Sequence, residues 1–275
     1  MGRLSKFLML FLFLPLLLPA QGFNSLLGDE SILNAQTKQV NQFFRRFNGE
    51  ESVTGNRFYP GDKDYRNKDL RRRYLNTLFD QQNASMTDPM RDAFTADVLA
   101  NGKEQYLNFH AGQWFAEVTT KFLYQGKEET LTLFMKLEQE NLGYKWVISN
   151  VYFSHFNKMF TSNQETGSHF LHPLSHELDF MNLIRVFKDK DFVELYTAKE
   201  YKPDYLTLFL YEFKKGNLKF KSVSKVKFHF FQINGWYFEL SEFNRPGSNS
   251  GWLISGLVKI DENQKDLLLN YIYKE

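Results

Sequence analysis

Cysteine is absent from the 275 residues, so the chain forms no disulfide, offers no thiolate to a metal and has no cysteine nucleophile. Charge imbalance is nearly absent too, because 34 Lys and Arg face 32 Asp and Glu for a net charge of +2. Dedicated nucleic-acid and membrane-surface binders carry a strong basic excess, so nucleic acid is set aside as a partner. Long apolar runs are lacking except at the start. There Phe7 to Leu18 covers ~18 Å as a helix, short of the ~30 Å hydrocarbon core of a bilayer. With no covalent staple, stability must come from burial, and 29 Phe, 14 Tyr and 4 Trp supply the apolar area.

That first run follows Arg3 and Lys6 and precedes the small residues Ala20 and Gly22, the layout of a secretory signal peptide over 1–22. The expectation is an exported protein, periplasmic or extracellular, with no stable membrane anchor after cleavage. A lipid anchor would need the missing cysteine. The one basic cluster, "KDLRRRYL" at 68–75, reads as the solvated face of a helix whose other face is Tyr74, Leu75, Leu78 and Phe79.

The rest of the chain repeats one plan. Val40, Phe43, Phe44 and Phe47 fall at i, i+3, i+4 and i+7, an amphipathic helix stripe, and Phe180, Leu183, Ile184 and Phe187 repeat it. Shorter helical segments follow, Arg71 to Asp80 and Phe192 to Ala198. A third helix then begins at a proline and stops at a glycine in both halves, Pro89 to Gly102 and Pro203 to Gly216. Beyond each glycine the period changes to two. Trp114 to Tyr124, 129–138 and 144–153 read as three strands joined at Gly126 and Gly143, and 225–232, 236–243 and 252–260 as three more.

Helices followed by a meander of antiparallel strands indicate an α+β class. The order of elements, ending in "GYKWVISNVYF", resembles the NTF2-like fold, with a cystatin-like domain as its nearest competitor. The resemblance implies two tandem NTF2-like domains, each with helices packed on a curved antiparallel sheet, at 31–153 and 174–275 with a linker over 154–173. A polar insert at 48–69 departs from that plan. NTF2-like proteins include isomerases and dehydratases that hold an Asp or His inside the cone, as well as many that only bind or dimerise.

The more apolar face of each strand carries no histidine, and its only ionisable group is Glu242. An unpaired buried charge is costly, so this pattern points to binding and not to catalysis, with no catalytic residue, cofactor or metal assigned. Trp114, Tyr144, Trp146, Asn150, Glu242 and Trp252 are the candidate pocket residues, for a small apolar ligand or a protein partner. An enzyme using a helix carboxylate such as Asp92, Asp97 or Asp179 is the alternative, and a structural component of an envelope assembly is a third. His229 falls on the opposite face and is expected at the surface.

"SHFLHPLSHELDF" at 168–180 holds three of the six histidines. His169, His172 and His176 would share one face of a continuous helix, as metal ligation needs, with His155 near by. Pro173 spoils that geometry, because it biases His172 away from helical dihedrals and itself suits a first helical turn. The expectation is a seam between units, with a new helix starting near Pro173 or Ser175.

Overall fold

The computed structural model describes residues 40–52, 54–160, 170–188, 193–246 and 249–273. The expected leader at 1–22, the start of the first expected domain and His169 lie outside them. The chain is α+β: helices pack on a six-stranded antiparallel curved sheet ordered β3-β2-β1-β4-β5-β6. The strands are β1 (Trp114–Tyr124), β2 (Lys127–Glu140), β3 (Gly143–Tyr152), β4 (Leu218–Phe230), β5 (Trp236–Phe243) and β6 (Gly251–Lys259). Two three-stranded meanders, one from each half, are joined edge to edge by the long β1–β4 pairing from Trp114↔Phe230 to Tyr124↔Leu218.

Among the described residues, three helices precede β1. The helical residues 40–48 (α1) bury Val40, Phe43, Phe44 and Phe47, the stripe that the spacing predicts. In α2 (Lys68–Leu78), Asn67 caps the first turn by accepting from the Asp69 and Leu70 amides. Arg72 and Arg73 are exposed as expected. Arg71 is not: its guanidinium turns inward to the carbonyls of Phe47 (3.1 Å) and Gln105 (2.5 Å) and lies 4.2 Å from the Tyr106 ring centre. Helix α3 (Asp88–Val98) has Pro89 in its first turn. The insert at 48–69 is pinned by Glu51, a fully buried carboxylate that accepts from Gln42 Nε2 (2.7 Å), Arg45 Nε (2.8 Å) and Arg46 Nε (3.3 Å).

The helices cross over between halves. On the inner sheet face, α1 to α3 pack through Phe43, Phe47, Leu75 and Phe94 mainly on second-half strands, against Phe230, Phe238, Leu240 and Ile254. Rings stack through this core: Phe230 on Phe238 at 4.7 Å and 4°, Trp114 on Phe230 at 5.3 Å and 14°. The second-half helix α6 (Tyr205–Lys214), capped by Asp204, places Phe209 on Phe122, Leu131 and Val151 of the first-half strands. The short α4 (Ser154–Met159) adds Phe156 to that cluster. Helix α7 (Glu262–Tyr273) covers part of the outer face, where Ile272, Leu268 and Leu269 meet Phe115, Phe134, Phe231 and Tyr237.

The stripe from Phe180 to Phe187 does not form the expected amphipathic helix. Only Leu183–Val186 (α5) is α-helical, and Phe180, Ile184 and Phe187 are all exposed. Periodicity needs a surface to pack on before it stabilises a helix, and among the described residues α5 buries only Val186. Of the expected helix at Phe192 to Ala198, Phe192 lies outside the described residues, and the described part holds a 3₁₀ turn, Val193–Tyr196. At the seam, Pro173–Leu178 is a 3₁₀ helix preceded by an extended His172, as the proline predicts. It ends where Asp179 and Phe180 take positive φ (49° and 55°), conformations that non-glycine residues seldom adopt.

A candidate binding cleft between strands four and five

Strand β4 pairs with β5 only from Lys227↔Ser241 to Phe230↔Phe238. Beyond Ser241, β5 stays with β6, as Glu242↔Trp252 and Phe243↔Gly251, while β4 continues beside β1. The sheet therefore splays open between β4 and β5. A cleft of about 460 Å³ fills the notch, within the ~300–1,000 Å³ range of small-molecule sites. Five of its twelve lining residues are aromatic, Phe109, Trp114, Trp146, Phe228 and Trp252, and Val40 and Asn41 of α1 also line it. The rings hold each other in place: Trp114 meets Trp146 edge-on at 5.1 Å, and Phe228 lies 5.1 Å from Trp252. A second, more polar cleft of about 550 Å³ shares Glu242 and Trp252 with the first and extends past Arg46 and Arg245.

Two polar features mark the aromatic cleft. Glu242 and Lys225 are the charged groups in its lining, and both are exposed. The indole N–H groups of Trp114 and Trp236 find acceptors, the Phe109 carbonyl at 2.9 Å and Asp97 Oδ2 at 3.0 Å. The Trp252 indole nitrogen is buried with no acceptor among the described residues. A buried donor left unpaired costs about 1–3 kcal/mol.

Four of the six pocket residues expected from sequence thus converge on one cleft: Trp114, Trp146, Glu242 and Trp252. Tyr144 lies on the same sheet face but stacks on His110 at 4.5 Å, beside Phe109. Asn150 lies on the other face, where its side-chain nitrogen donates to the Ile272 carbonyl of α7 (3.2 Å). The reason is a β-bulge. Phe134 pairs with Asn150 but Met135 with Ile148, so Ser149 is the extra residue and reverses the alternation.

The same happens twice more at a serine, and once at Lys221, which is extra between Lys121↔Ser222 and Phe122↔Phe220. Ser255 is extra between Glu239↔Gly256 and Leu240↔Ile254, which puts Gly256 and Val258 outside and Leu257 inside. Ser224 is extra between Thr119↔Lys225 and Thr120↔Val223. At each serine bulge the hydroxyl donates to a carbonyl across the pair: Ser149 to Phe134 (3.1 Å), Ser224 to Thr119 (3.0 Å), Ser255 to Glu239 (3.4 Å). A lone serine inside an otherwise regular run was the available signal. Sequence reading also missed Phe109 and the 223–226 segment of β4, whose place in the lining depends on where β5 leaves the sheet.

The outer face brings an acid, an imidazole and a phenol into contact with one another. His229 is buried, 4% exposed, contrary to the surface position expected for it. Its Nε2 lies 2.8 Å from Glu117 Oε2 and its Nδ1 2.6 Å from the Tyr237 hydroxyl. Tyr237 donates to Glu239 Oε1 (2.9 Å), and Lys227 reaches Glu239 Oε2 (3.0 Å). The hydrogen bond from His229 holds the Glu117 carboxyl below its ordinary value, aided by the charges of Lys227 and Lys225 and opposed by burial. Burial, then the nearby Glu239 carboxylate, pushes the Tyr237 hydroxyl far above its usual range. Neither cleft includes these residues in its walls. These side chains pair with one another, and the two carboxylates are about a quarter exposed, at 23% for Glu117 and 26% for Glu239.

The other histidines are dispersed. His155 faces Glu129 at 3.3 Å, His172 Nδ1 accepts from the Leu174 amide, and His176 Nδ1 lies 2.9 Å from the Pro173 carbonyl. Among the described residues no three His, Asp or Glu side chains cluster as metal ligands, and no helix is long and apolar enough to cross a membrane. Comparison with family models, curated proteins and solved structures finds no match to this chain.

Proposed function

We propose that the chain is an exported binding protein, built of two tandem NTF2-like units that share one sheet, and that the aromatic cleft between β4 and β5 is its binding site. The single observation that carries the reading is the convergence of Trp114, Trp146, Trp252 and Glu242 around an open cleft. Support for the tandem plan is the matching order of a helix and a three-stranded meander in each half, although Pro89 lies in the first turn of α3 whereas Pro203 precedes the Asp204 cap of α6. Support for export is the leader-like composition of 1–22.

The cleft's chemistry favours association over reaction. Aromatic walls contribute affinity through burial of a ligand's apolar body, and the exposed Glu242 carboxylate orients it. General acid–base work needs a proton donor and acceptor both within reach of one bound group. The buried pair of Glu117 with His229 lies on the opposite face.

The test uses the environment-sensitive dye 1-anilinonaphthalene-8-sulfonate on the folded protein. Saturable binding with quenching of tryptophan emission is expected, weakened about tenfold or more in Trp146→Ala, the most exposed of the cleft tryptophans. Equal binding by both proteins, or none by the parent, overturns the assignment.

A further inference from the structure

The departure of β5 leaves more than a cleft. Residues 218–226 of β4 are paired on one side by β1 and, among the described residues, by no strand on the other. An unpaired strand edge presents a row of amide and carbonyl groups that can template another chain. This edge is also amphipathic. Phe220, Val223 and Val226 pair with Phe122, Thr120 and Val118 on the inner face, whereas Lys219 and Lys225 lie on the outer face with Leu123 and Thr119. Phe220 and Val223 are both more than half exposed, and Val223 to Val226 form one wall of the aromatic cleft.

The part of β4 that is covered shows what fits beside it. There β5 places Phe238 and Leu240 on the inner face and Glu239 on the outer face, with Glu239 bound to Lys227 at 3.0 Å. A segment that alternated acidic and apolar residues would extend the same arrangement along 218–226, with acids against Lys225 and Lys219 and apolar side chains beside Val223 and Phe220. Cross-strand pairs of opposite charge and of apolar groups are each worth little alone but set register together.

We propose that the open edge of β4 receives an extended acidic–apolar peptide as an added strand antiparallel to it, with one apolar side chain seated in the aromatic cleft. Main-chain hydrogen bonds would supply affinity and the alternating side chains specificity. The proposal rests on the binding role assigned to the cleft and names the class of partner that fills it.

The probe is a fluorescein-labelled, N-acetylated peptide alternating glutamate with valine and leucine and carrying one phenylalanine, measured by fluorescence polarisation against the folded protein. Saturable binding is expected. It should weaken about tenfold in a Lys219→Glu/Lys225→Glu double variant and fall with added salt, as opposite-charge contacts at a rim do. N-methylation of one alternate set of peptide amides should abolish binding while methylation of the other set leaves it, because only one edge of an added strand pairs with β4. The two lysines are exposed, so the variant keeps the fold.

Equal tolerance of both methylation patterns overturns strand addition. Dye binding in the cleft with no peptide binding overturns the peptide and leaves the cleft's role standing, whereas loss of both removes the role itself. Self-association of the chain alone, abolished by the lysine variant, would assign the edge to a second copy and overturn the peptide.

Discussion

The two faces of the sheet divide polarity in opposite ways. On the inner face the residues are aromatic and the space between them is open, with a buried indole N–H left over. On the outer face Glu117, His229, Tyr237, Glu239 and Lys227 are held within hydrogen-bonding distance of one another, and Tyr237 belongs to the apolar cluster under α7. Side chains with the vocabulary of catalysis are the closed, structural set, while plain rings and an exposed carboxylate are the accessible one. The lesson is that a titratable cluster in a fold is evidence of function only when a cleft reaches it. Here none of the described clefts does.

The largest expected effect comes from breaking the closed set. His229→Leu keeps the volume roughly but leaves Glu117 without the donor that faces it and Tyr237 without one of its partners. The loss should be about 2–3 kcal/mol, read as a drop in the urea midpoint. Dye binding by the cleft should be unchanged where the variant is folded. Tyr237→Phe removes one hydroxyl from the same network and should cost less, about 1–2 kcal/mol, and the double variant should cost less than the sum because the two residues share partners. Additive losses would mean that the network is not one unit.

A smaller and pH-dependent effect belongs to Glu117. Its carboxyl is held below the ordinary value in the folded chain by the His229 hydrogen bond first. The unfolded chain, with an ordinary value near ~4.3, therefore takes up the proton first as pH falls. The stability this group contributes is whole above that value and is lost as the pH drops through the folded value. Glu117→Gln should be less stable than the parent at pH 7, and the gap should close on acidification below about pH 4. A gap independent of pH would show that the carboxylate's charge is not what binds it to His229.

The comparison of faces also explains what could be read in advance. The number and order of the strands and the inner-face members Trp114, Ala116, Phe228, Phe238 and Ile254 followed from alternation, because a period of two is imposed by the pleat itself, although β4 begins at Leu218 and not at the expected 225. The faces of Asn150, Gly256 and Val258 did not, since one bulged serine reverses every residue beyond it. Helix α1 was readable because its stripe has an aromatic core to meet, whereas the same spacing at 180–187 meets none and stays mostly irregular. His229 was misplaced for a related reason: the outer face of β4 alternates lysine with histidine and looks solvated until Glu117, Tyr237 and Glu239 are brought across from two other strands. The cleft residues Trp114, Trp146, Glu242 and Trp252 stood out as large or ionisable groups on apolar faces. That they meet depends on β5 parting from β4, which no single segment encodes.

The smallest expected stability effects lie in the open set, and they test the comparison most sharply. Trp146 is 37% exposed at the cleft and Glu242 has no ion pair among the described residues. Trp146→Ala should cost about 1 kcal/mol or less, and Glu242→Gln no more than about 0.5 kcal/mol, because each removes contacts that water already shares. Both should nonetheless change how the cleft binds, Trp146→Ala by removing a wall and Glu242→Gln by removing the carboxylate that would repel an anionic dye. Dye affinity should therefore fall in the first variant and rise modestly, about twofold to threefold, in the second. If Trp146→Ala instead destabilised the chain as much as His229→Leu, the ring would be part of the core's support, and the distinction between a closed face that stabilises and an open face that binds would fail.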